Sequence, residues 1–361
     1  MPRTLIVGFG RAGHDLHWQV LNRLRGTEPG RAAISAEPPV VVDPAVDDRT
    51  VRDACCLPTP DLARAAELLD PADTVVHLCT PPTDRLEVLR ELATLGFRQI
   101  LVEKPLISTP EELAPIDALR RAYGLRLIVV APWLHSTLTE RLHDLVRQRT
   151  LGDLESVFVA QLKPRMTRTL RTQGHPTAFD VELPHSVGLV LKLAGDGDVA
   201  GAELHDMRLG NVVVRDMGAA RLHLTHHSSV STEIFTDLAS PIRERVIRLG
   251  FSRGWAVGHF PISEADDHAH LSTSLDQGDF PAAVFRDDSL GRFLLSAYQR
   301  LAGGADLEAD FALNSRVSAI LSEAKEQSRL GRAADAAVEP LFTADIPRFP
   351  QIPTEAVPHA S

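Results

Sequence analysis

Cysteine is scarce in this 361-residue sequence: only Cys55, Cys56 and Cys79 occur, and two of them are adjacent. Adjacent cysteines do not easily bridge each other, so the pattern speaks against a disulfide scaffold and fits a reducing, cytoplasmic setting. No run of about 18 apolar residues is present, which argues against a membrane-spanning helix. The start, Met1-Pro2-Arg3-Thr4-Leu5-Ile6-Val7-Gly8, lacks the layout of a signal peptide. Positive charge is also in deficit. A formal net charge of −10 argues against nucleic acid or an anionic membrane as the main partner. Internal repeats and low-complexity tracts are absent. His226-His227 and Asp266-Asp267-His268-Ala269-His270 gather metal-type side chains, but neither has a ligand set at fitting spacing, so no metal is expected.

What is present is a chain with 44% hydrophobic residues, enough for two domains with their own cores. The first third alternates apolar runs with helical spacing. Strands are expected at Leu5–Val7, Val40–Asp43, Thr74–Cys79, Gln99–Val102 and Leu127–Val130. Helical spacing fills Ala12–Leu24, Leu62–Leu69, Arg85–Leu95 and Pro110–Tyr123. Near-continuous apolar strands alternating with helices predict a doubly wound parallel sheet covered on both faces, over residues 1–131.

The pattern then changes. A helix at Thr137–Gln148, a strand at Glu155–Leu162 and a helix at Pro184–Leu193 lead into period-two segments such as Ala220–Thr225 and Arg245–Leu249. Two helical stretches follow, Ser289–Leu301 and Leu313–Arg329. Strands without intervening helices predict an α+β domain over residues 132–338, with a large, open, mostly antiparallel sheet. An open sheet face needs cover, so a homo-oligomer, dimer or tetramer, is expected. The stretch 339–361 holds five prolines and reads as an extended tail.

Three motifs carry chemistry. The loop Gly8-Phe9-Gly10-Arg11-Ala12-Gly13 lies between a strand and a helix, as a pyrophosphate cradle requires. Gly8 allows the tight turn, Gly10 the close approach of a phosphate and Gly13 the packing of the helix, whose N-terminus is electropositive. Asp43 ends the second strand, where a carboxylate can accept both ribose hydroxyls and repel a 2′-phosphate, which favours NAD without excluding NADP. Arg11 and Arg49 remain available to a phosphate. Thr80-Pro81-Pro82 follows the third strand and stiffens the edge where a cofactor would lie. Glu103-Lys104-Pro105 follows the fourth, placing a lysine where it can hydrogen-bond a substrate oxygen beside a nicotinamide.

Cys79-Thr80-Pro81-Pro82 followed by Leu101-Val102-Glu103-Lys104-Pro105-Leu106 resembles the Gfo/Idh/MocA oxidoreductases, named after glucose-fructose oxidoreductase and inositol dehydrogenase. The resemblance covers roughly residues 3–330. It implies a Rossmann domain followed by an open-sheet domain, and hydride transfer between NAD(P) and a sugar, cyclitol or related alcohol. Lys104 takes the place of the family's catalytic lysine. His185 takes that of its histidine, with Gly195 ending the helix ten residues on. The family's aspartate four residues before that histidine is replaced by Val181, leaving Asp180 or Glu182 to tune the imidazole. Pro184 suits a first helical turn, which would put His185 near a helix N-terminus. There the helix dipole lowers its pKa and a carboxylate raises it. Trp133 and His135 fall where the family places substrate-facing residues, and Arg85 where many relatives carry a histidine.

Lys163, Arg165, Arg168 and Arg171 form a basic run in a segment that also holds Pro164, Gly174 and Pro176, expected to be a loop able to bind phosphate. The expected activity is therefore hydride exchange between a nicotinamide and a ring hydroxyl or ketone of a sugar, aminosugar, nucleotide sugar or cyclitol. In the oxidative direction His185 would take the hydroxyl proton while Lys104 stabilises the oxygen. The alternative is an NAD-binding sensor without turnover, which has no need of Lys104 or His185.

Overall fold

The computed structural model describes residues 1–171, 175–263, 266–275, 278–279 and 282–335. The tail expected at 339–361 lies outside the described residues.

Six short strands build the first sheet: β1 (Arg3–Val7), β2 (Val40–Val42), β3 (Leu57–Thr59), β4 (Thr74–Leu78), β5 (Gln99–Val102) and β6 (Arg126–Val129). All pairings are parallel and the spatial order is β3-β2-β1-β4-β5-β6. This is the doubly wound arrangement, with its switch point beside β1. The central strands are mostly apolar on both sides because helices cover both faces. One face packs α4 (Leu62–Leu68), α5 (Arg85–Thr94) and α6 (Leu113–Tyr123) through Leu62, Leu89, Leu92 and Ile116. The other packs α1 (Gln19–Arg25), α2 (Glu28–Ala33) and α3 (Asp48–Asp53) through Leu21, Ala33 and Val51.

Three local features differ from the sequence pattern. The expected helix at Ala12–Leu24 opens as a π-helical stretch, Arg11–Trp18, before α1 begins. Single π turns inside helices cluster at functional sites. The segment between α1 and β2, given no element by the pattern, holds α2, capped by the Thr27 side chain on the Gly30 N–H. β3 carries a central proline, which an edge strand tolerates.

After β6 come α7 (Thr137–Gln148), β7 (Leu154–Leu162), α8 (Met166–Arg171) and α9 (Ala178–Ala194). The second sheet has the order β16-β15-β14-β13-β7-β12-β11-β8, with β17 on β15. Its strands are β8 (Gly197–Leu204), β11 (Ala219–His226), β12 (Ser231–Asp237), β13 (Glu244–Phe251), β14 (Gly254–His259), β15 (His268–Leu275), β16 (Gly278–Asp279) and β17 (Ala283–Arg286), beside a separate hairpin of β9 (Met207–Leu209) and β10 (Val212–Val214). Pairing is antiparallel except between β7 and β12, which run parallel. Alternate residues such as Leu222, Ile234, Ile247 and Ala256 are buried under α9 and α11 (Glu308–Asp335). Among the described residues no helix is long and apolar enough to cross a membrane.

α10 (Ser289–Ala302) does not join the second sheet, although it follows it in sequence. Its apolar stripe of Phe293, Leu294, Ala297, Tyr298 and Leu301 packs instead on the α1–α3 face of the first sheet.

Candidate functional site

The glycine loop leaves β1 with Gly8 at φ +88°, a left-handed conformation that favours glycine. A Cβ on Gly13 would collide with the carbonyl oxygen of Gly8, whereas the Cβ direction of Gly10 is open space. The first N–H groups of a helix lack intrahelical acceptors, so this loop offers donors beside the open space at Gly10. Asp43 braces it from the end of β2. Its carboxylate accepts the Phe9 N–H at 2.6 Å and the Ala45 N–H at 2.8 Å. Arg49 pairs with Asp53 at the surface.

Arg85 and Glu103 fix the two strand-end motifs to each other and to the loop. Arg85 is 1% exposed and donates to the carbonyl of Pro105 and, at 3.0 Å, to that of Thr80. Burial lowers its pKa to about 10. The residue read as standing in for a substrate-facing histidine is therefore a buried clamp between Thr80-Pro81-Pro82 and Glu103-Lys104-Pro105. Glu103 is held by His17, 2.9 Å away, and also accepts the Lys104 N–H.

Lys104 reaches out of the first sheet to α9, where its Nζ donates to the Val181 carbonyl at 2.8 Å. Burial lowers the Lys104 pKa, opposed by the charges of Glu182 and Glu103. His185 stands on the same stretch of α9. Its ring stacks on Trp133 at 5.9 Å between centroids, and Trp133 stacks on Phe260 at 4.2 Å. Among the described residues no hydrogen bond holds the imidazole, and His185 lines the cavity. Burial and then the charge of Lys104 depress its pKa to about 3, so it is neutral at ordinary pH.

Two expectations about His185 are corrected. α9 does not start at Pro184: it starts after Thr177, which forms a capping box with Asp180, and Pro184 lies inside the helix. His185 thus sits in the interior of α9, and burial, not a helix terminus, sets its charge state. Neither carboxylate hydrogen-bonds the ring, although the charge of Glu182 raises its pKa against burial. Asp180 accepts from Thr177 and from Lys325 Nζ at 2.6 Å, while Glu182 pairs with Lys163. Glu182 is driven to a pKa of about 2 against its burial, by Lys163 first and then by Lys104 and Arg245.

These groups line a cavity of about 770 Å³ that extends from Arg11 of the glycine loop past Lys104, Trp133 and His185. Arginines gather in its lining, alongside the carboxylates of Glu182, Asp267, Asp287 and Asp288. Arg165 and Arg168 come from the basic run, which is not a loop throughout: Met166–Arg171 is the short helix α8. Arg243, Arg245 and Arg286, which the sequence reading did not single out, join from β13, its lead-in and β17. Lys163 is neutralised by Glu182, and Arg286 by Asp267 at 2.7 Å. Arg165 is different. It is 4% exposed, its Nε is buried without a partner, and among the described residues neither it nor Arg245 belongs to an ion pair. Burial, with the charge of Arg168, lowers the pKa of Arg165 to about 10, and burial lowers that of Arg245.

His175 was also missed. It lines the cavity with a buried, unpartnered Nδ1 and is depressed to about 3 by burial and by Lys104. His135, by contrast, is not part of the wall. It packs edge-on against Phe293 at 5.3 Å, and burial lowers its pKa to about 4. The other histidine pair is structural on one side: His226 Nδ1 meets the Gly195 carbonyl at 2.7 Å and Nε2 meets Thr232 Oγ1 at 2.8 Å.

No family model matches the chain. A curated relative, dTDP-3,4-didehydro-2,6-dideoxy-alpha-D-glucose 3-reductase of Streptomyces antibioticus, is 34% identical over 128 residues. That match spans 34% of this chain and 39% of the relative. Among solved structures the chain is similar to KijD10, a 3-ketoreductase from Actinomadura kijaniata in complex with NADP and TDP-benzene, with TM-score 0.74, 16% identity, and 90% of this chain and 97% of that one covered. It is also similar to an oxidoreductase from Agrobacterium radiobacter in complex with NAD+, L-tartaric acid and magnesium, with TM-score 0.71, 12% identity, and coverage of 92% and 97%. These structures establish the fold, a doubly wound sheet followed by a large open sheet. Motifs, fold and curated relative agree with the Gfo/Idh/MocA resemblance.

Proposed function

We propose that this chain is a nicotinamide-dependent oxidoreductase of the Gfo/Idh/MocA type that reduces a ring ketone of a nucleotide-linked sugar. One observation carries the reading: Lys104 and His185 face the same cavity as Arg165 and Arg245, two desolvated cations outside any described ion pair. Their leading opposing charge, Glu182, is already paired with Lys163, and a buried cation outside an ion pair is unfavourable until an anion arrives. A diphosphate placed there would leave the attached sugar ring near Lys104 and the Trp133–His185 stack. The relative from Streptomyces antibioticus, named for reduction of a dTDP-linked sugar, supports the same substrate class.

The residues fit a nicotinamide dinucleotide. Gly10 opens onto space, Gly13 keeps the helix close, and the Asp43 carboxylate stands where an adenosine ribose would lie. Its charge opposes a 2′-phosphate, so we propose NAD(H) as the cofactor. When bound, that group supplies the hydride. The protein's part is the proton. With His185 neutral, Lys104 is the charged donor that the geometry aims into the cavity, and its lowered pKa makes the ammonium a better acid. It would donate to the carbonyl oxygen as the hydride reaches the carbon, giving the alcohol and the oxidised cofactor. His185 hydrogen-bonds the same oxygen and fixes the ring against Trp133.

We further propose that copies associate through the uncovered face of the second sheet, where Trp255 is 39% exposed. The free thiols of Cys55, Cys56 and Cys79 support a cytoplasmic setting. The functional test is calorimetric titration with dTDP and UDP, followed by an NADH-oxidation assay with the matching nucleotide-linked ketosugars. Arg165→Ala and Arg245→Ala should each weaken nucleoside diphosphate binding about 10- to 100-fold, the range of a hydrogen bond to a charged group. Undiminished binding in both variants, or turnover only of free sugars, would refute the nucleotide-sugar reading.

A further inference from the structure

A buried polar chain runs beneath the glycine loop. Glu103 Oε1 lies 2.9 Å from His17 Nε2, and His17 Nδ1 lies 2.7 Å from His77 Nδ1. His77 Nε2 lies 2.9 Å from the Tyr298 hydroxyl, which lies 2.7 Å from Thr4 Oγ1. His17 comes from the π stretch after the loop, His77 from β4, Tyr298 from α10 and Thr4 from β1. All four are essentially inaccessible to water. At the other end, Glu103 Oε2 accepts the Lys104 N–H at 3.1 Å.

Burial keeps His77 neutral and the hydrogen bond from His17 keeps Glu103 ionised against its own burial, which leaves two arrangements. The His17–Glu103 bond needs a proton on Nε2, because the carboxylate only accepts. The His17–His77 bond holds one proton, which belongs to either ring. If it belongs to His17, that ring is an imidazolium and His77 donates from Nε2 to Tyr298. If it belongs to His77, both rings are neutral and Tyr298 donates back. The surroundings select the first. A buried carboxylate favours a formal positive charge at hydrogen-bond distance. The Sγ of Cys79 is 3.7 Å from His17 Nδ1, and among the described residues no cation is a leading influence on His17, while Arg25 and His17 both act on His77. Burial alone would lower the pKa of His17, but Cys79 and Glu103 raise it to about 10; burial and the charge of His17 hold His77 well below its usual value.

We infer that His17 is a positioning residue for Lys104. As a buried imidazolium it clamps and neutralises Glu103, whose other oxygen holds the Lys104 main chain, so the Lys104 ammonium stands without the full charge of Glu103 beside it. The remaining charged or titratable groups facing Lys104 are Glu182, Asp180, Arg165, His175, His185 and Lys163. The inference deepens the proposed reduction, since it concerns the acidity of the proposed proton donor. Its test uses no substrate, so the two readings can fail separately.

The first readout is nitrogen NMR of the full chain labelled with ¹⁵N-histidine, with His17→Gln and His77→Gln assigning the signals. His17 should carry protons on both ring nitrogens between about pH 6 and pH 9, and His77 on Nε2 alone. A neutral His17 in that window overturns the inference. The second is trace acetylation of Lys104 against pH, read by mass spectrometry, which is tractable because the chain has four lysines. His17→Gln should raise the labelling midpoint by about one pH unit, and Glu103→Gln should lower it. Variants that fold but leave the midpoint in place reduce His17 to packing alone. Should His17→Gln not fold, the Glu103→Gln shift and the wild-type NMR decide the matter.

Discussion

The Nζ of Lys104 donates a 2.8 Å hydrogen bond to the main-chain oxygen of Val181, and this bond spans from the end of β5 to α9. Val181 stands where the family resemblance implies an aspartate. The side chain there is apolar and buried, so the backbone takes the lysine instead. A neutral carbonyl orients the ammonium without neutralising it. That leaves the charge available to a developing alkoxide, the requirement for stabilising a transition state.

Replacing the lysine should therefore cost rate more than binding. Lys104→Met is expected to lower kcat for ketone reduction by about 10²–10⁴-fold, the usual contribution of a positioned acid, while cofactor affinity changes little. The wild-type reductive rate should fall as pH rises through the Lys104 pKa, which lies below the ordinary lysine value. Steady-state kinetics with a matched fluorescence titration of NADH checks both. A Lys104→Met enzyme with near wild-type kcat would remove this residue from the mechanism.

Asp43→Ser should relax cofactor choice toward NADP, because it deletes the charge that opposes a 2′-phosphate. It also removes the acceptors for the Phe9 and Ala45 N–H groups, so affinity for NAD should drop as well. A loss of about 1–3 kcal/mol, or roughly 5- to 150-fold in Kd for NAD, is expected from stranding partly buried donors. Binding of the two cofactors measured side by side decides it. An unchanged ratio of their dissociation constants would mean that Asp43 serves the loop alone.

The sequence made the first sheet legible because strands covered on both faces are apolar over most of their length, as at Val75, Val76 and Leu78 and at Ile100–Val102, with the buried His77 an exception. The glycine loop and Lys104 were legible for the same reason: each adjoins such a strand. The start of α9 was not. Its cap pairs Thr177 with an aspartate, and Pro184, a residue that usually opens helices, lies within it. The fates of Asp180 and Glu182 were hidden because their partners, Lys325 and Lys163, are brought to them by the fold. His17, His77 and Tyr298 were invisible as a set, since only the return of α10 to the first sheet brings the tyrosine to them. Arg245 passed for an ordinary charge on a strand.

Arg85 illustrates a residue whose role is read only from its depth. Arg85→Met keeps much of the volume but strands the carbonyls of Thr80 and Pro105. Loss of about 2–4 kcal/mol of stability is expected, together with a lower kcat from a loosened Lys104. Urea unfolding and turnover measured on one preparation provide the check. Wild-type stability with wild-type kcat would show that the clamp is dispensable.

The buried histidines predict opposite limbs of a stability–pH profile. His185 and His175 are held at about 3 in the folded chain, against about 6.5 when unfolded. Between those values the unfolded chain binds more protons, so their contribution is complete above about pH 6.5 and is lost as pH falls toward 3. His17 is raised to about 10, so its contribution is complete below about pH 6.5 and is lost as pH rises toward 10. Melting temperatures across that range should therefore peak near neutrality. His185→Gln and His175→Gln should flatten the acid limb, and His17→Gln the alkaline limb, each without changing the other side. If His17→Gln instead flattened the acid limb, the ring would be a neutral buried imidazole, and the clamp on Glu103 would carry no charge.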